Sequence, residues 1–530
     1  MEATRLILLA ASCAALLVPA AARAKSPPDM LVVAKNLDDI VSLDPAQAYE
    51  LTSDEIAANL YDRLVEYHPG DPARLDPALA ESWVAAADGK TITFTLRADA
   101  RFTSGNPVRP EDVAFSLRRV VRLNKAPAAL LTQLGWTAQN VDSMVRVASD
   151  RTVVLTIGTD VSPSFVLNLL AVHTCSIVDE RVVAANARGG DLGNGWLSRH
   201  SAGSGPFSLR LWQPNEAVIL DANPDHFGPV PKMRQIVLDH VAEPSTQRLM
   251  IQTGDVDIAY NLAPDQIAAL KNNAEIRVET YPQAALHFFS LNLKVEKLRN
   301  QALWQAMRYL VDYDGIANTL LLGGMKVHQS FWPSGFPGAV DDTPYRLDIP
   351  RAKTILAAGG VPPGLTIDLD MIVSSPFIEI AQSLQATMAQ AGITLNLLPG
   401  TSAQVITKYR ARAHEMMLLY WSPDFMDPHS NAQAFAYNID NADAAAQSTT
   451  AWRNAWLIPR LSAETQQALV EPDAARRLDL YRDLQRQVMA EAPWVMTFQA
   501  QKQVALRREV RGFVHGPVPD LIRYDQVSKE

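Results

Sequence analysis

The length of this chain limits its possible folds more than any other feature. A single hydrophobic core stops growing at roughly 250–300 residues, and the sequence has 530. Its residues are 48% hydrophobic and 20% charged, so the chain can bury enough apolar surface to offset its conformational entropy. We therefore expect a folded protein of at least two domains.

The charge balance argues against a nucleic-acid partner. The 57 Asp and Glu residues outnumber the 48 Lys and Arg residues, which gives a net charge of -9. Affinity for nucleic acids depends largely on clustered Lys and Arg side chains. We expect no nucleic-acid binding.

The first 24 residues have the parts of a secretory signal peptide. Arg5 precedes an apolar run from Leu6 to Pro19, and Ala22-Arg23-Ala24 matches the A-x-A cleavage pattern. The run is too short and too interrupted for a permanent membrane span, which needs about 20 apolar residues. The sequence therefore predicts a cleaved signal peptide at residues 1–24 and an exported protein.

The two cysteines fit this prediction. Cys13 lies in the leader, so Cys175 is the one thiol expected after cleavage, and it has no partner for an internal disulfide. An alternative is that Cys13 carries a lipid. Ala10-Ala11-Ser12 is a poor match to that signal, but the alternative stays open.

Hydrophobic periodicity predicts a mixed α/β chain. Alternation with period 2 predicts strands at Thr91–Leu96, Thr152–Ile157, Ala217–Leu220, Ile276–Thr280 and Leu365–Leu369. Helical periodicity predicts helices at Ser53–Tyr67, Pro110–Leu123, Ser245–Thr253, Asn300–Leu322, Pro376–Ala391 and Ala474–Glu491. Acidic residues in the first turn, such as Asp54 and Glu55, are typical of helix starts.

Several motifs occur in a fixed order along the chain. They are Gly89–Arg97 (GKTITFTLR), Ser104–Pro107 (SGNP), Pro110–Ser116 (PEDVAFS), Gly203–Phe207 (GSGPF), Asn223–Phe227 (NPDHF), Gly254–Asp257 (GDVD), Trp421–Asp424 (WSPD) and Ala492–Trp494 (APW). In this order and spacing they resemble the peptide/nickel family of extracytoplasmic solute-binding proteins that serve ABC importers. The resemblance covers essentially the whole chain after the leader.

The resemblance implies a large two-lobed α/β fold of the periplasmic-binding-protein type II, with an extra subdomain in the first lobe and a hinge that closes over a central cleft. The implied segments are first lobe 25–68 and 190–281, extra subdomain 69–189, second lobe 282–498 and a return to the first lobe at 499–530. The hinge is expected near Tyr281-Pro282 and Phe498-Gln499.

The most informative segment for function is Tyr420–His429 (YWSPDFMDPH), which follows the strand-like Glu415–Leu419. Loops at strand ends are where α/β proteins place ligands. In peptide binders of the family, the Asp that matches Asp424 holds the ligand's α-ammonium group. A desolvated cation needs a charged acceptor, so we expect Asp424 to bind ligand. The alternative is that Asp424 only caps the following turn.

Other residues are candidate ligand contacts around this loop. They are Tyr49, Phe289, Trp332, Trp421 and Ser422. For Trp421, an apolar cleft wall and ordinary core packing are equal alternatives.

Two further residues of the loop, Asp427 and His429, complete an oxygen-rich set with Asp424. We interpret Asp427, which is next to Pro428, as structural. Three nearby ligands in a loop are weak support for a metal site. We expect no metal and no cofactor.

One departure from the family pattern bears on the ligand. In dipeptide binders an Arg can clamp the ligand carboxylate, but Val327–Trp332 (VHQSFW) contains none. A bidentate guanidinium is the natural partner for a terminal carboxylate. This weakens the case for a strict dipeptide and leaves a longer peptide or another cationic solute open.

The resemblance implies a periplasmic binding component, expected as a monomer, that captures a peptide or similar small solute and delivers it to an inner-membrane ABC permease with ATP-binding subunits. The sequence has no G-x-S-x-G, H-E-x-x-H or P-loop motif, so an enzyme is unsupported. The alternatives are a non-peptide solute such as a metal chelate, opine or sugar, and, less favoured, a secreted hydrolase.

Overall fold

The computed structural model describes residues 26–68, 71–445 and 449–530. The predicted signal peptide at 1–24, and Cys13 within it, lie outside these residues and stay predictions. Cys175 is a buried free thiol. None of the described helices combines the length and the apolar composition that a membrane crossing needs.

The described chain alternates strands and helices, as the mixed periodicity predicted. The strands are β1 (Met30–Lys35), β2 (Val65–His68), β3 (Asp71–Pro77), β4 (Ala80–Ala85), β5 (Thr91–Leu96), β6 (Val145–Ser149), β7 (Thr152–Thr156), β8 (Phe207–Gln213), β9 (Ala217–Ala222), β10 (Gln235–His240), β11 (Ile258–Ala259), β12 (Ile276–Leu291), β13 (Met325–Val327), β14 (Leu365–Ile372), β15 (Ile393–Gly400), β16 (Met416–Trp421), β17 (Trp494–Arg507), β18 (Val510–Arg511), β19 (Val514–His515), β20 (Ile522–Arg523) and β21 (Ser528–Lys529).

The helices lie between these strands and mostly cover the sheet faces. They are α1 (Leu51–Leu60), α2 (Pro110–Leu123), α3 (Ala128–Thr132), α4 (Val141–Met144), α5 (Pro163–Leu170), α6 (Glu180–Asn186), α7 (Asn194–Leu197), α8 (Pro244–Thr253), α9 (Pro264–Leu270), α10 (Gln301–Met307), α11 (Tyr313–Gly315), α12 (Ile349–Ala358), α13 (Phe377–Gln390), α14 (Ser402–Arg410), α15 (His429–Phe435), α16 (Thr450–Arg453), α17 (Pro459–Val470) and α18 (Ala474–Glu491).

One sheet joins the two lobes. Within the described ranges its strand order is β15-β14-β16-β12-β17-β11-β1-β10-β9-β8, and β13 adds to β17. The second lobe contains β14, β15 and β16, and the first lobe contains β1 and β8 to β11. In the described sheet, the long antiparallel pair β12 and β17 lies between these two groups of strands and connects them.

The β12–β17 ladder loses its regular register near the predicted hinge. Pro282 pairs with Gln501 and Leu286 pairs with Gln499, so the strands are out of step between these positions. The irregularity falls close to both predicted crossing points, Tyr281-Pro282 and Phe498-Gln499. That it acts as a hinge stays a prediction.

A smaller sheet forms the framework of the region after the first strands. Its order is β4-β5-β7-β6, and the alternating side chains of β5 bury Ile92, Phe94 and Leu96. Alternation of this kind fits a sheet with one face against a core. Here α2 covers that face, and the carboxylate of Asp112 accepts a hydrogen bond from the backbone N–H of Arg109 at its start.

The sequence located several elements with their bounds and misplaced two. The predictions for β5, α2 and α18 are confirmed. The predicted helix Ser53–Tyr67 is wrong in its second half, because α1 ends at Leu60 and β2 follows. The predicted helix Asn300–Leu322 is also wrong, because it is divided after α10, and the Asp312 carboxylate accepts a hydrogen bond from the N–H of Gly315 to start a new turn.

The end of α1 explains the motif Gly203–Phe207. The N–H of Gly205 donates a hydrogen bond to the carbonyl of Leu60 (3.1 Å), which satisfies one of the carbonyls that a helix end leaves unpaired. This approach leaves no room for a side chain. A Cβ on Gly203 would lie 2.0 Å from the Leu60 oxygen.

We expect Gly203→Ala to lower the free energy of unfolding by about 1–3 kcal/mol, because the added methyl group forces the backbone apart. The urea midpoint of the purified protein measures this loss. Gly195→Ala is the matched control, since its Cβ would meet only the end of the Asp191 side chain at 3.1 Å. Equal midpoints for the two variants would contradict the packing explanation.

Candidate functional site

The loop after β16 lies at the boundary between the lobes. β16 is an inner strand, between β14 and β12, and its last residue is Trp421. Beyond it, the N–H of Asp424 donates to the hydroxyl of Ser430 (3.1 Å), and the N–H of Met426 donates to the hydroxyl of Tyr67 (3.4 Å). The second bond reaches across to the first lobe, so the loop spans the boundary.

Three of the predicted site residues lie together at this loop. The hydroxyl of Tyr49 donates a hydrogen bond to the carboxylate of Asp424 (3.3 Å), and both residues line a cavity of about 180 Å³ together with Ser422. Tyr49 belongs to the segment before α1 in the first lobe, whereas Asp424 and Ser422 belong to the second. The cavity therefore lies between the lobes.

The electrostatics of the pair favour a donor opposite Asp424. Partial burial raises the pKa of Asp424, and the hydrogen bond from Tyr49 acts in the opposite direction. Burial, followed by the nearby charge of Asp424, raises the pKa of Tyr49 to about 12. Tyr49 thus keeps its proton at neutral pH and donates a hydrogen bond to the carboxylate of Asp424, which forms no ion pair with any described residue.

A second polar cluster on the same cavity was missed by sequence reasoning. Nε2 of His173 lies 3.0 Å from Oδ1 of Asp54, and its Nδ1 lies 3.4 Å from Oδ1 of Asp520. Burial lowers the pKa of His173, but the two carboxylates outweigh this and raise it to about 9. Burial also raises the pKa of Asp54 to about 7, against the opposing effect of His173.

Sequence alone gave a different role to Asp54. Its position after Thr52 and Ser53 was typical of a first helical turn, and it does lie in the first turn of α1. The helix begins at Leu51, however, and its N-cap Glu50 makes no side-chain capping bond. No sequence signal connected Asp54 to His173 and Asp520, because these residues come from three distant segments.

The expectations for Phe289 and Trp332 are corrected by the structure. Both side chains have no exposed surface, so neither lines the cavity. Phe289 belongs to β12, where it pairs with Leu418 of β16 and Val495 of β17. The indole N–H of Trp332 donates to the carbonyl of Pro337 (2.8 Å). Both residues stabilise the core of the second lobe.

Trp421 shares features of the cleft and of the core. Its indole N–H donates to the side-chain oxygen of Asn431 (2.9 Å), and its ring packs edge-on against Phe435 with centroids 5.7 Å apart. The side chain is partly exposed. Contact between Trp421 and a ligand stays a prediction.

Asp427 and His429 lie on the core side of the loop. Asp427 forms two bonds of 2.7 Å with the guanidinium of Arg477, and His429 shares a hydrogen bond with the hydroxyl of Tyr481 (3.0 Å). Burial lowers the pKa of His429 to about 4. Among the residues with described positions, no group of three His, Cys, Asp or Glu side chains is arranged to hold a metal ion.

Comparisons with known proteins show what this chain is similar to. Residues 74–443 match the family described as "Bacterial extracellular solute-binding proteins, family 5 Middle". The "Probable D,D-dipeptide-binding periplasmic protein DdpA" of Escherichia coli K12 is 29% identical over 515 residues, which covers 94% of this chain and 93% of that protein. The "Dipeptide-binding protein" of the same strain is 24% identical over 484 residues and covers 88% of each chain.

A solved structure has the same overall fold. The unliganded open form of the periplasmic murein tripeptide binding protein MppA superposes with a TM-score of 0.79 and covers 95% of this chain and 98% of that one. Its sequence identity to this chain is 20%, so the likeness concerns the fold.

Proposed function

Because the chain belongs to family 5 of the bacterial extracellular solute-binding proteins, we propose that it captures a peptide in the periplasm and delivers it to an inner-membrane ABC permease. The relatives named for peptides span nearly its whole length, which supports this choice. In this proposal the protein acts as a monomer after removal of residues 1–24, and ATP hydrolysis belongs to the partner subunits.

The observation that carries the proposal is the position of Asp424 between the lobes. Its carboxylate faces a cavity, its partner is a neutral phenol, and partial burial raises its pKa. A carboxylate in these surroundings gains most from a cation, because an ion pair strengthens when water is excluded. The α-ammonium of a peptide supplies that cation, and Tyr49 and Ser422 then offer hydrogen-bonding groups beside it.

Lobe closure follows from the same contact. Asp424 belongs to the second lobe and Tyr49 to the first, so a guest between them contacts both lobes at once. Such contacts exist only in the closed form, and the guest therefore shifts the equilibrium toward closure.

We expect Asp424→Asn to weaken peptide binding about 30-fold, or by about 2 kcal/mol, because it removes the charge opposite the ammonium. Calorimetric titration of the mature protein with a tripeptide that the wild-type protein binds measures the change. N-acetylation of the same tripeptide should cause a similar loss with the wild-type protein. Asp314→Asn, an exposed carboxylate in α11 of the second lobe, is the control and should bind normally.

The outcomes separate the function from the role of the residue. Unchanged affinity in Asp424→Asn would remove this residue from the site. No thermal shift with any peptide, together with a shift for another solute, would overturn the peptide assignment itself.

A further inference from the structure

The cavity has acidic groups on both of its sides. Asp424 comes from the second lobe, and Asp54 and Asp520 come from the first. The charge of Asp54 as well as that of Asp424 acts on the hydroxyl of Tyr49. The two carboxylates therefore face one small space.

The charges around this space do not balance. The acidic groups include Asp39, Glu50, Asp54, Asp424 and Asp520, and the cationic groups include Arg63 and His173. His173 is shared by Asp54 and Asp520, and Arg63 lies 3.7 Å from Asp520. Asp520 thus has two cationic neighbours, whereas the cationic neighbour of Asp54 is His173, which it shares with Asp520.

Asp54 is a buried carboxylate with incomplete compensation. Only 9% of its surface is exposed. Its Oδ1 receives no aligned hydrogen bond from any described residue, although His173 lies nearby. Leaving a buried charge without full compensation is costly, so Asp54 gains from a further hydrogen-bond donor that enters the cavity.

The remaining walls of the cavity are apolar. Leu130, Val172 and Phe425 line it and are almost fully buried. The cavity volume of about 180 Å³ is below the roughly 300–1,000 Å³ of a typical ligand pocket. The cavity therefore suits one end of a peptide. The apolar part of the first side chain would lie between two charged groups, one contacting Asp424 and the other Asp54.

We propose that Asp54 is a specificity residue that selects peptides whose first residue has a basic side chain. The inference rests on the proposed function, since it places the α-ammonium at Asp424 and the side-chain cation at Asp54. The apolar walls contact the methylene groups between the two cations, as long basic side chains bury their stems along apolar surface.

The test compares two tripeptides that differ in one charge. Lysyl-alanyl-alanine and norleucyl-alanyl-alanine have similar first side chains, and calorimetric titration gives the affinity of each for the mature protein. We expect the wild-type protein to prefer the lysyl peptide at least tenfold. In Asp54→Asn the preference should fall to about threefold or less, while Asp314→Asn keeps the wild-type preference.

The ratio between the peptides separates recognition from structural damage. A loss of packing in Asp54→Asn weakens both peptides alike and leaves their ratio unchanged, and that result would overturn the role of Asp54. Equal affinities in the wild-type protein would overturn the inference and leave the proposed function intact. If neither peptide binds while a different solute does, both proposals are wrong.

Discussion

Replacing Asp427 with alanine is expected to lower the free energy of unfolding by about 3–5 kcal/mol, because it leaves the guanidinium of Arg477 buried without a counter-ion. Both side chains are almost fully buried, at 0% exposure for Asp427 and 2% for Arg477. The carboxylate also accepts hydrogen bonds from the N–H of His429 (2.9 Å) and from the side chain of Asn168 (3.3 Å). Urea unfolding followed by circular dichroism measures the loss.

Two comparisons isolate the buried charge as the cause. Asp314→Ala removes an exposed carboxylate and should change stability by less than about 0.5 kcal/mol. The double replacement Asp427→Leu with Arg477→Met removes both charges and should recover part of the stability, since apolar pairs often replace buried ion pairs without loss. A double variant as unstable as Asp427→Ala would show that the lost charge pair is not the main cause.

Acidification from pH 6.5 to pH 4 is expected to cause a still larger loss of stability. Burial lowers the pKa of five histidines to about 4; they are His287, His328, His414, His429 and His515. The ordinary histidine pKa is about 6.5. Between these two pH values the unfolded chain binds protons that the folded protein does not. The free energy of unfolding therefore decreases as the pH is lowered, by about 3 kcal/mol for each histidine.

Two cavity residues act with the opposite sign. Asp54, with a pKa of about 7, takes up its proton more readily in the folded state, so it adds stability as pH falls from about 7 to 4. His173, with a pKa of about 9, contributes stability that is complete below about pH 6.5 and is lost as pH rises toward 9. Between pH 6.5 and pH 4 only Asp54 offsets part of the loss from the five histidines, because the contribution of His173 is already complete.

Thermal unfolding at half-unit pH steps measures this balance. The unfolding temperature should begin to fall just below pH 6.5 and fall steeply toward pH 4. His414→Gln should reduce the slope, because it removes one of the five sites, whereas His200→Gln at an exposed position should not. A constant unfolding temperature down to pH 5 would contradict the prediction.

The sequence predicted elements best where one local pattern decided them. The alternation of Ile92, Phe94 and Leu96 placed β5, and the proline and acidic residues at its start placed α2. It failed at the end of α1, where the helix end packs closely against Gly203 and Gly205, which lie far away in the chain. A long-range contact of this kind leaves no periodic signal beside the helix that it ends.

The residues of the candidate site were likewise predicted only in part from the sequence. Asp424, Ser422 and Tyr49 were expected from motif positions, and the structure brings them together. Phe289 and Trp332 were expected in the cleft because their segments could meet this loop across it, but both side chains are fully buried. The Asp54, His173 and Asp520 cluster needed the fold, since only packing brings these segments together.

The register of the two strands that join the lobes is irregular between Pro282 and Leu286 and again between His287 and Phe288, and paired residues continue on either side of this stretch. We therefore expect a rotation of one lobe to be absorbed by the dihedral angles of a few residues in this stretch, without breaking the backbone hydrogen bonds of either half-sheet. The difference in free energy between the open and closed arrangements of the lobes is then expected to arise from side chains that face each other across the cavity. We therefore expect groups on the two sides of the cavity, such as Tyr49 and Asp424, to set how long a captured molecule is retained before release.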